Sequence, residues 1–137
     1  MSHQVSVYDG VLTIRLDGRV SAQEVIQDIR SNLDNQSKPV TVILDLTLAA
    51  AFDQQLKSML YRTFQHHNVA CVGFCGVNPE VEKDVNDLLV VLRRVRTVSV
   101  GQTEADVRVE LGLTAPQPQQ KKLNGMLAYL KKGELTS

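Results

Sequence analysis

The sequence predicts an α/β protein with a mostly parallel central sheet and one antiparallel hairpin at its N-terminal edge, in the order ββαβαβαβα. Three observations lead there. The run KPVTVILDL (residues 38–46) is almost continuously apolar and β-branched, as suits a strand covered on both faces. Segments between such runs place apolar residues at helical spacing. Asp9-Gly10, set between two alternating runs, tolerates the positive φ angles of a tight hairpin turn. Strands alternating with helices imply right-handed crossovers and a parallel sheet.

The elements follow in order. QVSVYDGVLTIRLDG (4–18) supplies the hairpin, with Val5 and Val7 alternating on one side and Val11, Leu12, Ile14 and Leu16 on the other. SAQEVIQDIRSNLDNQ (21–36) opens with Ser21 and Glu24 in capping-box spacing, then lines up Val25, Ile26, Ile29 and Leu33. The strand in KPVTVILDL is expected to end at Asp45, with Ala49–Ala51 filling a crossing. From Asp53 a helix follows, its stripe made by Leu56, Leu60 and Phe64 with Met59 and Thr63 beside it. VACVGFCG (69–76) reads as a second buried strand. In NPEVEKDVNDLLVVLRR (78–94), Asn78 is the expected N-cap and Pro79 the first helical residue, with Val81, Val85, Leu88, Leu89 and Leu92 inward. VRTVSVG (95–101) is the third buried strand, and TEADVRVELG (103–112) a short closing helix. The expected division is an α/β domain over 1–114, a Pro/Gln linker over 115–120, and an amphipathic helical tail over 121–137. Leu123, Met126, Leu127 and Leu130 form the apolar stripe of that tail.

Composition narrows the function. The 137 residues suit one domain with one core. Lys plus Arg number 15 and Asp plus Glu number 15, so zero net charge argues against a nucleic-acid-binding protein. No run approaches the ~20 apolar residues of a membrane span. The start MSHQVSVYDG lacks the regions of a signal peptide, and a cytosolic protein is expected. Cys71 and Cys75 sit four residues apart on one strand face, about 13 Å at ~3.3 Å per residue. That is too far for a disulfide, and two small buried thiols are expected.

No P-loop, GxGxxG, HExxH or GxSxG occurs, and no cofactor or metal site is expected. His66 and His67 are read as cations at a helix C-terminus. Glu80, Glu82 and Asp84 are read as acids on a solvated helix with no partner. Arg93, Arg94 and Arg96 are read as a helix end, with a phosphate or acidic-partner site as the alternative. A non-enzymatic protein is expected.

The segment LDLTLAAAFDQQLKSML (44–60) carries the sharpest pattern. With the N-terminal hairpin and the closing T-E-A-D helix, it resembles the STAS domain, the fold of bacterial anti-sigma factor antagonists and of the cytosolic part of sulfate transporters. The resemblance spans about residues 4–113. Family members commonly read D-L-S-x-V-x-x-I-D-S-S-G at a strand–helix junction. Here Asp45-Leu46-Thr47 matches the first part and Asp53 falls at the second Asp. The resemblance implies regulation by a kinase that phosphorylates a serine in the first helical turn, and a protein partner that binds the unmodified form. This chain departs at that point: Gln54 and Gln55 stand at the serine positions and Leu56 at the Gly. Glutamine carries no hydroxyl. The nearest hydroxyls are Thr47, also readable as a buried turn residue, and Ser58, also readable as exposed filler; Asp53 is equally an ordinary N-cap.

The expected partner-binding residues are therefore Asp45, Thr47, Asp53, Gln54, Gln55 and Ser58. The expected partner is a protein, a kinase-like anti-sigma factor or another regulator. The alternative is a small-ligand domain, for a lipid or a nucleotide, at the strand ends. A homodimer formed through the tail helix is the third reading.

Overall fold

The computed structural model describes residues 2–113 and, beyond them, a two-residue antiparallel pair formed by Lys131–Lys132 (β6) and Glu134–Leu135 (β7). The linker at 115–120 and the apolar stripe of the expected tail helix lie outside the described residues.

Nine elements precede that pair: β1 (Ser2–Tyr8), β2 (Val11–Gly18), α1 (Ala22–Asp34), β3 (Val40–Ala49), α2 (Gln54–Thr63), β4 (Val69–Cys75), α3 (Glu82–Leu92), β5 (Thr97–Gly101) and α4 (Glu104–Glu110). The main sheet has the spatial order β1-β2-β3-β4-β5. β1 is antiparallel to β2, and the remaining pairs are parallel. This is the expected ββαβαβαβα sheet. Asp9 and Gly10, at φ of 53° and 77°, make the hairpin turn.

Each crossover returns its helix to one face, as a right-handed connection requires. Leu12, Ile14 and Leu16 from β2, Val42, Leu44 and Leu46 from β3, and Val72 and Phe74 from β4 form one cluster with the apolar stripes of α1, α2 and α3. Fully burying such a side chain stabilises the fold by ~1.5–3 kcal/mol. With no Trp in the chain, the ring contact in this core is Phe64 against Phe74, edge to face at 6.1 Å. α4 packs on the opposite face, over a small second cluster of Val11, Ile43, Cys75 and Val107.

Four boundaries or environments differ from the sequence reading. β3 does not stop at Asp45; it continues to Ala49. Its register against β2 shifts between Arg15 and Asp17, where Arg15 pairs with Asp45 but Asp17 pairs with Leu48. The extra residue turns the strand, so Leu46 and Ala49 are buried while Thr47 and Leu48 between them are exposed. α3 starts at Glu82, three residues after Pro79, because Asn78 closes a turn instead of opening the helix. β5 is an edge strand whose fully buried residue is Ser99, not a strand covered on both faces. Of the two thiols, Cys75 is buried and Cys71 half-buried, and both are free.

Candidate functional site: the end of β3 and the start of α2

The junction begins with Asp45. Its Oδ1 accepts from the Thr47 backbone N–H at 3.0 Å and from the Thr47 hydroxyl at 2.8 Å. The two side chains thus lock each other at the turn of the strand. Opposite them lies Gly76, just past β4, with φ of +67°. A methyl group there would overlap the Thr47 hydroxyl, so glycine is required for conformation and for space.

Asn78 holds the same strand end from the other side. Its amide donates to the carbonyls of Leu46 and Ala49, both at 2.9 Å, and approaches that of Thr47 at 3.4 Å. Its Oδ1 accepts from the backbone N–H of Glu80 at 2.8 Å and of Val81 at 3.3 Å. One side chain therefore supplies donors to the carbonyls of this strand end and closes the turn into α3. Sequence reasoning placed Asn78 at a helix N-cap; the carbonyls it serves lie about thirty residues away along the chain, which a local pattern does not reveal.

Asp53 is the N-cap of α2, accepting from the Leu56 N–H at 2.7 Å. The capping reading of this residue holds. The preceding residue, Phe52, is buried, and its N–H donates to Asp84 of α3 at 3.0 Å. Asp84 and Asp87 also accept from Lys57 at 3.2 and 3.0 Å. Asp84 is consequently not a solvated helix acid: its side chain is 14% exposed and has two partners, the Phe52 N–H just before α2 and Lys57 within it. The Lys57 pKa is raised, first by its hydrogen bond to Asp87 and then by that to Asp84. The Asp87 carboxyl is held below its usual range, chiefly by Lys57.

The six expected partner-binding residues divide into two groups. Asp45 and Thr47 stand on the α4 side of the sheet, and Thr47 opens onto a cleft of about 530 Å³ shared with Gly76, Asn78, Val100 and Gln102. Gln54 and Ser58 line a separate groove between α2 and α3, with Lys57, Tyr61, Asp87 and Val91. Gln55 is exposed at the start of α2, and Asp53 sits between the groups as the cap. Thr47 is exposed, so its reading as a buried turn residue is corrected; Ser58 is exposed, as its filler reading had it.

Other singled-out residues are structural. Arg96 donates to the carbonyls of Val95, Gln65 and His66 and so ties the end of α2 to β5. His66 Nε2 lies 2.9 Å from Asp34 Oδ1, and its ring stacks on that of His67. Burial, with Asp45 and Glu104 adding to it, pushes the Cys75 thiol up to about 12. Such a thiol is a poor nucleophile at neutral pH. Among the described residues no group of three His, Cys, Asp or Glu is placed to hold a metal, and no helix is long and apolar enough to cross a membrane.

No family model matches the chain, and no curated protein sequence does. Solved structures do match. An anti-sigma factor antagonist from Mycobacterium paratuberculosis superposes with a TM-score of 0.61 at 16% identity, over 81% of this chain and 93% of the other. The anti-sigma factor antagonist SpoIIAA in its unphosphorylated form gives 0.58 at 12% identity, over 81% and 98%. A putative anti-sigma factor antagonist from Thermotoga maritima gives 0.58 at 13% identity, over 80% and 93%. The chain therefore has the STAS fold, at a sequence distance where fold alone is established.

Proposed function

We propose that this chain is a non-catalytic regulatory module that binds a protein partner through the start of α2 and the adjoining α2–α3 groove. The observation that carries the reading is the contrast at the junction between what is fixed and what is presented. Asp53, Asn78, Asp84 and Lys57 fix the backbone, while Gln54, Gln55 and Ser58 are exposed on it without a catalytic group beside them. Polar, uncharged, hydrogen-bonding side chains on a rigid helix start suit recognition, because little conformational entropy is lost when they are covered. The fold shared with anti-sigma factor antagonists supports the same role and the same class of partner, a kinase-like anti-sigma factor or a related regulator.

Glutamine at 54 and 55 leaves these two positions at the start of α2 permanently uncharged. In this reading the chain binds constitutively, and regulation lies in its abundance or in its partner. Pull-down from the native host with wild type, Gln55→Glu and a distant Asn35→Glu control tests this. Gln55→Glu places one negative charge where the helix dipole favours it, so the fold is retained. The expected result is a partner retained by wild type and the control and lost by Gln55→Glu. A partner captured equally by all three, or none captured by wild type, sinks the idea.

The cleft at the C-terminal ends of β3, β4 and β5 supports a second reading, a small-ligand site for a lipid or nucleotide. Parallel sheets place ligands at such ends, and the cleft has room for a small organic molecule. Native mass spectrometry of freshly purified protein decides it: a co-purifying mass lost on Gln102→Trp supports the reading, and a clean protein mass removes it.

A further inference from the structure

The two edges of the main sheet are not alike. β5, at one edge, is five residues long and is led into by Arg93, Arg94 and Arg96. Short length and flanking charge are usual protections of an open strand against pairing with another chain. β1, at the other edge, has neither. It runs for seven residues, SHQVSVY, with no Lys, Arg, Asp, Glu or Pro. Its register against β2 is regular from Ser2 to Tyr8, with no bulge to twist the edge away. Among the described residues no strand pairs with its outer side.

The hairpin decides which backbone groups of β1 face outward. Asp9 and Gly10 both have positive φ, which makes the two-residue turn whose flanking residues exchange both hydrogen bonds. Tyr8 and Val11 are that flanking pair. The pattern alternates from there. Ser2, Gln4, Ser6 and Tyr8 turn their backbone groups to β2, and His3, Val5 and Val7 turn theirs away from the sheet. On the helix side of the sheet, His3, Val5 and Val7 stand opposite Leu16, Ile14 and Leu12, and Val5 packs on the main core.

A second copy of the same strand, running antiparallel, supplies partners for these outward groups. Of the registers that set outward residues against outward residues, the one with Val5 opposite Val5 uses the whole strand. His3 then meets the second copy's Val7, Gln4 meets Ser6, and Ser2 meets Tyr8. No pair sets like charges against each other, so the strand is complementary to itself. His3 is already engaged by Asp28 of α1 and brings no unpaired charge. Val7, 39% exposed, and Tyr8, 73% exposed, gain cover at the two ends of the contact.

From this we infer that β1 is a self-association edge: two copies of the chain pair their β1 strands antiparallel about a two-fold axis at Val5, joining their sheets into one. Such a contact uses the same patch on both copies and closes at the dimer. The protected edge at β5 does not extend it. The contact is distinct from the surface assigned to partner binding and does not depend on that assignment. Seven residues a side make a small interface, so the dimer is expected to be reversible.

Sedimentation velocity of the full-length protein over a concentration series tests this. Wild type is expected to shift from the mass of one chain to that of two. Val5→Lys and Val5→Glu each set like charges directly opposite one another, and each is expected to weaken dimerisation at least about tenfold. An equimolar mixture of the two is expected to restore the dimer, because Lys then faces Glu. Val7→Pro removes an outward N–H and leaves the pairing with β2 intact; it replaces the charged variants if circular dichroism shows them unfolded. Val5→Cys is expected to crosslink to itself under mild oxidation, since the Cα atoms of such an opposed pair lie ~5.5 Å apart, within disulfide reach. A wild type that stays monomeric up to its solubility limit overturns the inference. So does a dimer unchanged in a folded Val5→Lys or Val7→Pro variant, or a mixture that fails to recover. A dimer lost on Leu127→Lys and kept by Val5→Lys moves the contact to the tail and overturns it equally.

Discussion

At the scale of single residues, Gly76 and Thr47 form the tightest pair at the junction. Gly76→Ala adds a side chain at positive φ and drives it into the Thr47 hydroxyl. A left-handed non-glycine residue costs about 1–2 kcal/mol by itself, and the overlap adds to it. Urea denaturation is expected to show a loss of about 2–4 kcal/mol for Gly76→Ala. Thr47→Ala removes the obstructing oxygen, so the cost of Gly76→Ala in that background is expected to be smaller, and a double-mutant cycle measures the difference. Additive costs would show that the two residues do not touch. The cysteines separate just as simply. Cys71 is half-buried, whereas Cys75 is buried with its thiol pushed up to about 12. Iodoacetamide at pH 7.5 is expected to label Cys71 first and Cys75 only on unfolding, as mass spectrometry of the peptides would show.

At the scale of elements, α2 is fastened to α3 by the Phe52 amide and Lys57, both held by Asp84. Asp84→Ala leaves the buried Phe52 N–H without its acceptor, at a cost of about 1–3 kcal/mol. Chemical denaturation is expected to show that loss, and Glu82→Ala on the exposed side of α3 little change. The same clasp has a pH window. Asp87 ionises more readily folded than unfolded, so its contribution is complete above the ordinary carboxylate range and fades as pH falls through the lowered folded value. Lys57 keeps its proton longer when folded, so its contribution is complete below the ordinary lysine value of 10.5 and fades as pH rises through the raised one. Wild type minus Lys57→Met stability, followed from pH 3 to 11, is expected to be flat between those limits and to shrink at each end. A difference that peaks at one end would remove Lys57 as the centre of the clasp. Asp87 is exposed, so its share of the effect is also expected to fall with added salt.

At the scale of the whole molecule, periodicity made most of the architecture legible. The helical stripes of α1, α2 and α3 and the hairpin at Asp9-Gly10 lie where the apolar spacing puts them, because tertiary burial and local propensity agree there. Two things escaped the sequence. The bulge that carries β3 past Asp45 depends on register against β2, and apolar LDLTLAAA gives no mark of which strand slips. The anchoring of the junction depends on Asn78 and Asp84, whose partners are remote along the chain; each looks locally like a helix-start residue. The candidate site was thus legible as a position but not as two surfaces, since the turn at Thr47 and Leu48 parts residues that are close in sequence. The edge character of β5 was hidden for a related reason: VRTVSVG is apolar enough to be central, and only the order of strands makes it peripheral.

The way the junction is anchored has a consequence for how such a protein can change over generations. Every bond that fixes the crossing from β3 to α2 uses a side chain other than Gln54, Gln55 and Ser58. Scaffold and display are therefore separable characters. The three displayed positions can be rewritten, a serine exchanged for a glutamine or the reverse, without a toll on folding. A library randomised at those three positions is expected to fold almost throughout, whereas one randomised at Asn78, Asp84 and Asp53 is expected to be largely lost; protease-resistance sorting of the two libraries compares them directly. A chain built this way can change what its first turn of α2 displays in one or two substitutions, with the scaffold beneath left as it was.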